Sequence, residues 1–163
     1  MGLRSDDNSL ALDLDVLVEA AVPSGIDRTR LASLARFVLI TEGAAGSWVV
    51  AVALIDDRRI RMLHREFMDI DEATDVMTFP LDAESGTFGG DIVISVERAA
   101  EQGPDFGLSP ADEVEFLLVH GLLHLCGWDD AAPADRVRML ERQTELVAAF
   151  ESGRTRSVEA SGN

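Results

Sequence analysis

A chain of 163 residues, 47% hydrophobic and 27% charged, is long enough for one domain with a full hydrophobic core. A formal net charge of −16 excludes bulk electrostatic attraction to nucleic acid, which depends on neutralising phosphates, so any such contact has to be local. The single cysteine, Cys126, excludes an internal disulfide, and with neither an apolar leader nor a run of about 18 uncharged apolar residues, no signal peptide or membrane span is expected and the chain reads as cytoplasmic.

Residues 1–8 are polar and expected to fray. From Leu10 to Val18 apolar and acidic residues alternate, the period of a half-buried strand, and Pro23 closes it. Asp27 opens a helix along Leu31, Leu34, Val38 and Leu39 that ends near Gly43 to Gly46. Trp48 to Ile55 is a continuous valine-rich run, as expected of a strand buried on both faces. Asp56 caps the next helix, whose apolar stripe is Ile60, Leu63 and Phe67. All 14 basic residues of the chain are arginine, and this helix carries Arg58, Arg59, Arg61 and Arg65. The plain reading of that cluster is a solvated face; the alternative is a phosphate-binding patch, for which the guanidinium fork is well shaped.

After an acidic loop from Met68 to Ala73, Thr74 to Phe79 predicts a strand stopped by Pro80. A glycine-rich segment leads to a second strand at Ile92 to Val96. Strands so close in sequence pair antiparallel, whereas the earlier strand-helix-strand units favour parallel neighbours. Glu97 to Gln102 predicts a short helix. Ser109, Pro110, Asp112 and Glu113 form a strong helix start: an N-cap, proline at the first position and acids at the positive end of the dipole. A last amphipathic helix runs from Pro133 to Phe150 through Val137, Leu140 and Leu146, and residues 151–163 read as a disordered tail. The expectation is an α+β fold: a single domain over residues 1–150, with a mixed, roughly four-stranded sheet packed by helices.

The helix near residues 110–126 carries the chemistry. Val119 to Asp130 reads V-H-G-L-L-H-L-C-G-W-D-D, so His120 and His124 stand four apart on one helical face, where both imidazoles reach one metal ion. Gly127 can end the helix in a left-handed turn and bring Asp129 or Asp130 back toward the rings. His120, His124 and Asp130 then form a three-ligand site with room for water. The bland reading is a pair of core histidines on an apolar helix. It is weakened by the flanking Phe116, Leu117, Leu118, Val119, Leu122, Leu123 and Leu125, among which two unpaired imidazoles carry a desolvation cost. Cys126 points off the histidine face and reads as a small core residue. The H-E-x-x-H zinc peptidases place a glutamate base after the first histidine, where this chain has Gly121, which disfavours a conventional peptidase.

The segment H-G-L-L-H-L-C-G-W-D from His120 resembles the signature of the YbeY family of metal-dependent endoribonucleases. T-D-V-M-T-F-P from Thr74 and G-D-I-V-I-S from Gly90 resemble two further blocks of that family, in the same order. The resemblance runs from about Trp48 to about Phe150. It implies a zinc site on the signature helix and attack of metal-activated water on the phosphodiester of single-stranded RNA. It also implies a role in ribosomal RNA maturation and ribosome quality control, with the ribosomal small subunit or its proteins as partners. The family pattern has a third histidine where this chain has Asp130; two histidines and a carboxylate suit Fe2+ or Mn2+ as well as Zn2+. Met68 stands where the family has an arginine, and Arg65, one turn earlier, is the candidate to bind phosphate in its place. Asp75 is a candidate carboxylate base or supporting group, and His64, at a family asparagine position, reads as structural. His120, Arg65 and Asp75 are thus the candidate catalytic residues. The rival functions are a metallohydrolase of the peptidase type and a ribosome-associated factor with a structural metal site and little catalysis.

Overall fold

The alternation of Leu10–Val18 produces strand β1, with Leu10 and Val16 buried and Asp13 and Asp15 turned to solvent. This computed structural model describes residues 9–82 and 86–161, with side chains as far as Gly153. The expected fraying of residues 1–8 lies outside the described residues. Helix α1 spans Arg28–Thr41, and the Asp27 side chain accepts from the Thr29 and Arg30 amides, satisfying two of the donors a helix start leaves open. Strand β2 follows at Gly46–Ile55 and helix α2 at Asp57–Met68, capped by Asp56. Strands β3, Val76–Pro80, and β4, Phe88–Ser95, form the antiparallel pair. The short α3, Val96–Gln102, precedes α4, Pro110–Leu125, and α5, Pro133–Ser161.

The sheet order is β1-β2-β4-β3, with β1–β2 and β2–β4 parallel and β3–β4 antiparallel, the mixed four-stranded α+β arrangement expected. On one face Val50, Val52, Leu54, Ile92 and Ile94 meet α1, α4 and α5 through Leu34, Val38, Leu118, Leu122 and Leu146. On the other, α2 covers the β4 side alone: Ile60 and Leu63 pack on Ile55, Met77 and Val93. β2 is therefore not buried on both faces as its sequence suggested, and Val49 is exposed because no helix among the described residues lies over the β1–β2 half.

Three further expectations are corrected. Strand β4 begins at Phe88 rather than Ile92, because the paired glycines belong to the strand: a side chain at Gly89 would strike the Val49 carbonyl. The buried stripe of α5 is Met139, Gln143, Leu146 and Phe150, while Val137 and Leu140 face solvent. That helix also continues to Ser161, where residues 151–163 had read as a disordered tail. No proline interrupts the segment, and one helical glycine, Gly153, costs only about 1 kcal/mol relative to alanine.

Candidate metal centre

Helix α4 is aimed by its start and by its contact with the sheet. The Ser109 hydroxyl caps the Asp112 amide at 3.1 Å. Gly121 lies against Ile92 of β4 so closely that an added Cβ would sit 2.7 Å from the isoleucine Cγ2. Position 121, where a zinc peptidase would keep its glutamate, thus faces the packed sheet. His120 and His124 lie on another side of the helix, with side chains 20% and 24% exposed.

The end of α4 delivers the third group. Gly127 has φ of +99°, a conformation open to glycine, and the chain reverses there through bonds from the Gly127 amide to the His124 carbonyl and from the Trp128 amide to the Leu123 carbonyl. Trp128 then donates its indole N–H to Glu42 at the end of α1, and Glu42 also accepts from Arg142 of α5 at 2.7 Å, which fixes the turn against two helices. The Asp129 carboxylate is spent on the Ala131 amide within the turn, at 3.1 Å. Asp130 is the aspartate that reaches the histidines: its Oδ2 lies 3.3 Å from His120 Nε2 and 3.4 Å from His124 Nε2.

The outer hydrogen bonds set which nitrogen of each ring faces this point. His124 Nδ1 stands 3.0 Å from the Trp128 carbonyl, an acceptor, so Nδ1 carries the proton and Nε2 a lone pair. His120 Nδ1 stands 3.0 Å from Gln143 Oε1. The Gln143 amide cannot be reversed without losing its bond from Nε2 to the Phe116 carbonyl at 3.3 Å, so its oxygen accepts from His120 and leaves that ring's Nε2 lone pair inward as well. With both rings neutral, two imidazole lone pairs, 3.0 Å apart, converge with a carboxylate oxygen. A cation relieves that repulsion. The edge of a tetrahedron of ligands held about 2.0–2.1 Å from zinc is about 3.3 Å, which matches the three separations. His120, His124 and Asp130 can hold a divalent metal ion, and they are the one such cluster among the described residues.

The cluster opens into a cleft of about 600 Å³ lined by all five residues of β3, by Thr74 and Asp75, and by His64, Phe67 and Met68 of α2. Asp75 is held in place on the cleft wall. Its Oδ1 accepts from the Val76 amide at 2.8 Å and its Oδ2 from Gln102 Nε2 at 3.1 Å, while the second Gln102 proton goes to Glu113 Oε1 at 2.8 Å. Glu113 is 3% exposed, with its Oε2 buried and unpartnered. Burial raises its pKa, the Gln102 bond opposes that, and the nearby Asp75 charge raises it further.

Arg65 is not brought into the cleft: it is exposed on α2, and Met68 stands on the wall instead. His64, read from sequence as structural, has both parts. Its Nδ1 bonds the Glu72 carbonyl at 2.8 Å, holding the loop after α2, and its ring also lines the cleft. Cys126 is half-buried against the core, and burial followed by the Glu42 charge pushes its thiol up to about 11, so it is neither a ready ligand nor a nucleophile. Gln143 and Gln102 were missed by sequence reasoning. A signal for Gln143 was present, since it occupies a core position in the Met139, Leu146, Phe150 stripe; nothing local in the sequence marks Gln102.

A family model described as Endoribonuclease YbeY matches residues 22–151. Endoribonuclease YbeY of Carboxydothermus hydrogenoformans is 41% identical over 129 residues, covering 77% of this chain and 89% of that protein. Endoribonuclease YbeY of Thermobifida fusca is 36% identical over 149 residues, covering 85% and 94%. The solution structure of TM1509 from Thermotoga maritima is similar in fold, with a TM-score of 0.60 at 26% identity over 93% of this chain and 97% of that one. With the family match spanning β2, β3 and β4, the metal cluster and the cleft, the chain belongs to the YbeY family.

Proposed function

We propose that this chain is a metal-dependent endoribonuclease that cleaves single-stranded RNA in the maturation and quality control of ribosomal RNA. The observation that carries the reading is the convergence of two oriented imidazole lone pairs and the Asp130 carboxylate at the floor of an open cleft. Polarisation of a phosphodiester and activation of water at neutral pH are the chemistry a divalent ion supplies in such a site. Zinc fits the ligand spacing, and the carboxylate admits Fe2+ or Mn2+ as well. His120, His124 and Asp130 bind the ion. Asp75, oriented from behind by Gln102 and the Val76 amide, serves as a base at the wall, taking a proton from the attacking group. Arg65, outside the cleft, binds a flanking phosphate rather than the scissile one. Met68 leaves the cleft without a fixed cation at its position, so phosphate charge is met by the metal cluster.

A peptidase is disfavoured by Gly121, whose packing on Ile92 leaves no place for a glutamate base at that position. Among the described residues no helix is long and apolar enough to cross a membrane, and we assign the protein to the cytoplasm, with the small ribosomal subunit or its proteins as partners. The test is elemental mass spectrometry of the wild type and Asp130→Ala, followed by chelator-sensitive cleavage of single-stranded RNA, duplex RNA and a peptide in parallel. About one ion per wild-type chain, lost in the variant, with cleavage confined to single-stranded RNA, is the expected result. Metal that survives the substitution removes Asp130 from the ligand set. A loaded protein that binds ribosomal subunits without cutting RNA is a structural factor instead.

A further inference from the structure

The wall of the cleft facing solvent is apolar where water would be expected to meet charge. Phe67 and Met68, the last side chains of α2, are 58% and 60% exposed, and both line the cleft that His120, His124 and Asp130 close. Phe67 is not loose. Its ring packs edge-on against Phe79 of β3, with centroids 5.1 Å apart and planes at 66°, and Phe79 in turn belongs to the small core beneath α2. The contact fixes the direction of the ring and leaves most of it uncovered. The reason lies in the sheet order: β3 is the edge strand, so a residue at the end of α2 overhangs the sheet and finds no further strand to cover it.

That same edge gives the cleft polar character of a particular kind. All five residues of β3 line it, and the outer side of the strand pairs with no other strand among the described residues, so it offers a row made of the Val76, Thr78 and Pro80 carbonyls and the Thr78 N–H, the Val76 N–H being held by Asp75. A held aromatic face next to such a row suits a flat ring with hydrogen-bonding edges. The reach of the cleft from this platform to the metal cluster supplies the rest of the ligand's description: a planar heterocycle joined to a group that seeks a metal ion.

We propose that Phe67, backed by Phe79 and flanked by Met68, is the stacking platform for one unpaired nucleobase of the RNA whose phosphate lies at the metal cluster. The inference rests on the endoribonuclease reading and deepens it. A base in a duplex is stacked on its neighbours and has its pairing edge occupied, so it can offer neither face to Phe67 nor edge to β3; a splayed base offers both. The platform therefore contributes to single-strand selection and tolerates any base, since each has a π-face. Phe67 is a binding residue, outside the ligand set.

The experiment is equilibrium binding, by fluorescence anisotropy, of a fluorescent single-stranded RNA oligonucleotide protected by phosphorothioate linkages and shown by gel to stay intact through the measurement. The metal-loaded full chain is compared with Phe67→Ala, Phe67→Leu and Phe67→Trp, each checked for unchanged metal content and circular dichroism. Loss of one stack weakens binding roughly tenfold in Phe67→Ala and in Phe67→Leu, and Phe67→Trp retains it. An oligonucleotide with one abasic position, moved along its length, loses the same factor on wild type at a single position and nothing on Phe67→Ala. Equal affinity of wild type and Phe67→Ala, in a protein that cuts RNA, overturns the platform and leaves the nuclease reading standing. A loss in Phe67→Ala that is the same for every abasic position also overturns it, since the ring then acts through structure rather than through a base. Binding of an extended apolar peptide that Phe67→Ala abolishes, with oligonucleotide affinity unchanged, assigns the surface to a protein partner and overturns it too. A wild type that neither binds nor cuts RNA removes the nuclease reading and the platform together.

Discussion

Gln143 and the Trp128 carbonyl do the same task for the two histidines by different means. Each accepts a hydrogen bond from an Nδ1–H and so turns Nε2 inward, but the carbonyl belongs to a glycine turn while the glutamine side chain can be replaced. Partners behind a metal ligand typically account for a 10–100-fold change in metal affinity. Gln143→Leu keeps the volume of this fully buried position and deletes both the acceptor and the bond to the Phe116 carbonyl. We expect its metal affinity, measured by competition with a chelating dye, to fall by about 10–100-fold, and Gln143→Glu, which keeps an acceptor, to fall far less. The nitrogen-bound Nδ1 proton of His120 in the wild type should be visible by NMR and absent from its usual position in Gln143→Leu. Unchanged dye competition in the leucine variant would show that the helix backbone alone orients His120.

At the level of elements, α3, α4 and the residue before β3 are tied together by the part-buried line Glu113, Gln102 and Asp75. Because the folded state raises the Glu113 pKa, its contribution to stability is fully present below the ordinary glutamate value of about 4.3 and is lost as pH rises through the raised value in the fold. Glu113→Gln keeps an oxygen for Gln102 and has no proton to lose. The difference in melting temperature between variant and wild type should therefore move in favour of the variant between about pH 4 and pH 8. A constant difference across that range would mean that Glu113 does not titrate differently in the two states. The same line of residues shows where sequence reading stops. Period and capping placed β1, α1, α2 and the start of α4 closely, because alternation, Asp27, Asp56 and Ser109 act within a few residues. The His120, His124 and Gly127 spacing likewise described a site built within one helix and its turn. Gln102 touches Asp75 across 27 positions and Gln143 touches His120 across 23, and such meetings are decided by packing. Phe67 fitted the apolar stripe of α2, but burial depends on how far the sheet extends, which no local pattern states.

Over the whole molecule, 30 acidic residues against 14 arginines repel a polyanion, so RNA has to approach along the surface where arginine is concentrated. That surface is α2, whose exposed Arg58, Arg59, Arg61 and Arg65 lie outside the cleft lining on the helix that ends at Phe67 and Met68. Arg61 is engaged: its guanidinium forks onto Asp71 at 2.9 and 3.2 Å, which holds that carboxylate below its usual pKa. Both groups are exposed, so the pair is screened and of small worth to stability. Arg58, Arg59 and Arg65 are then the better candidates for RNA phosphates, each phosphate neutralised on a single strand adding about 0.7 to the slope of log affinity against log salt. Replacing all three by glutamine should weaken oligonucleotide binding and flatten that slope by up to about 2, with metal content untouched. The two observables separate the causes. A lower affinity with an unchanged slope means that the arginines shape the helix without meeting phosphate, whereas a flattened slope with the abasic preference at Phe67 intact makes the phosphate track and the base platform independent parts of one helix.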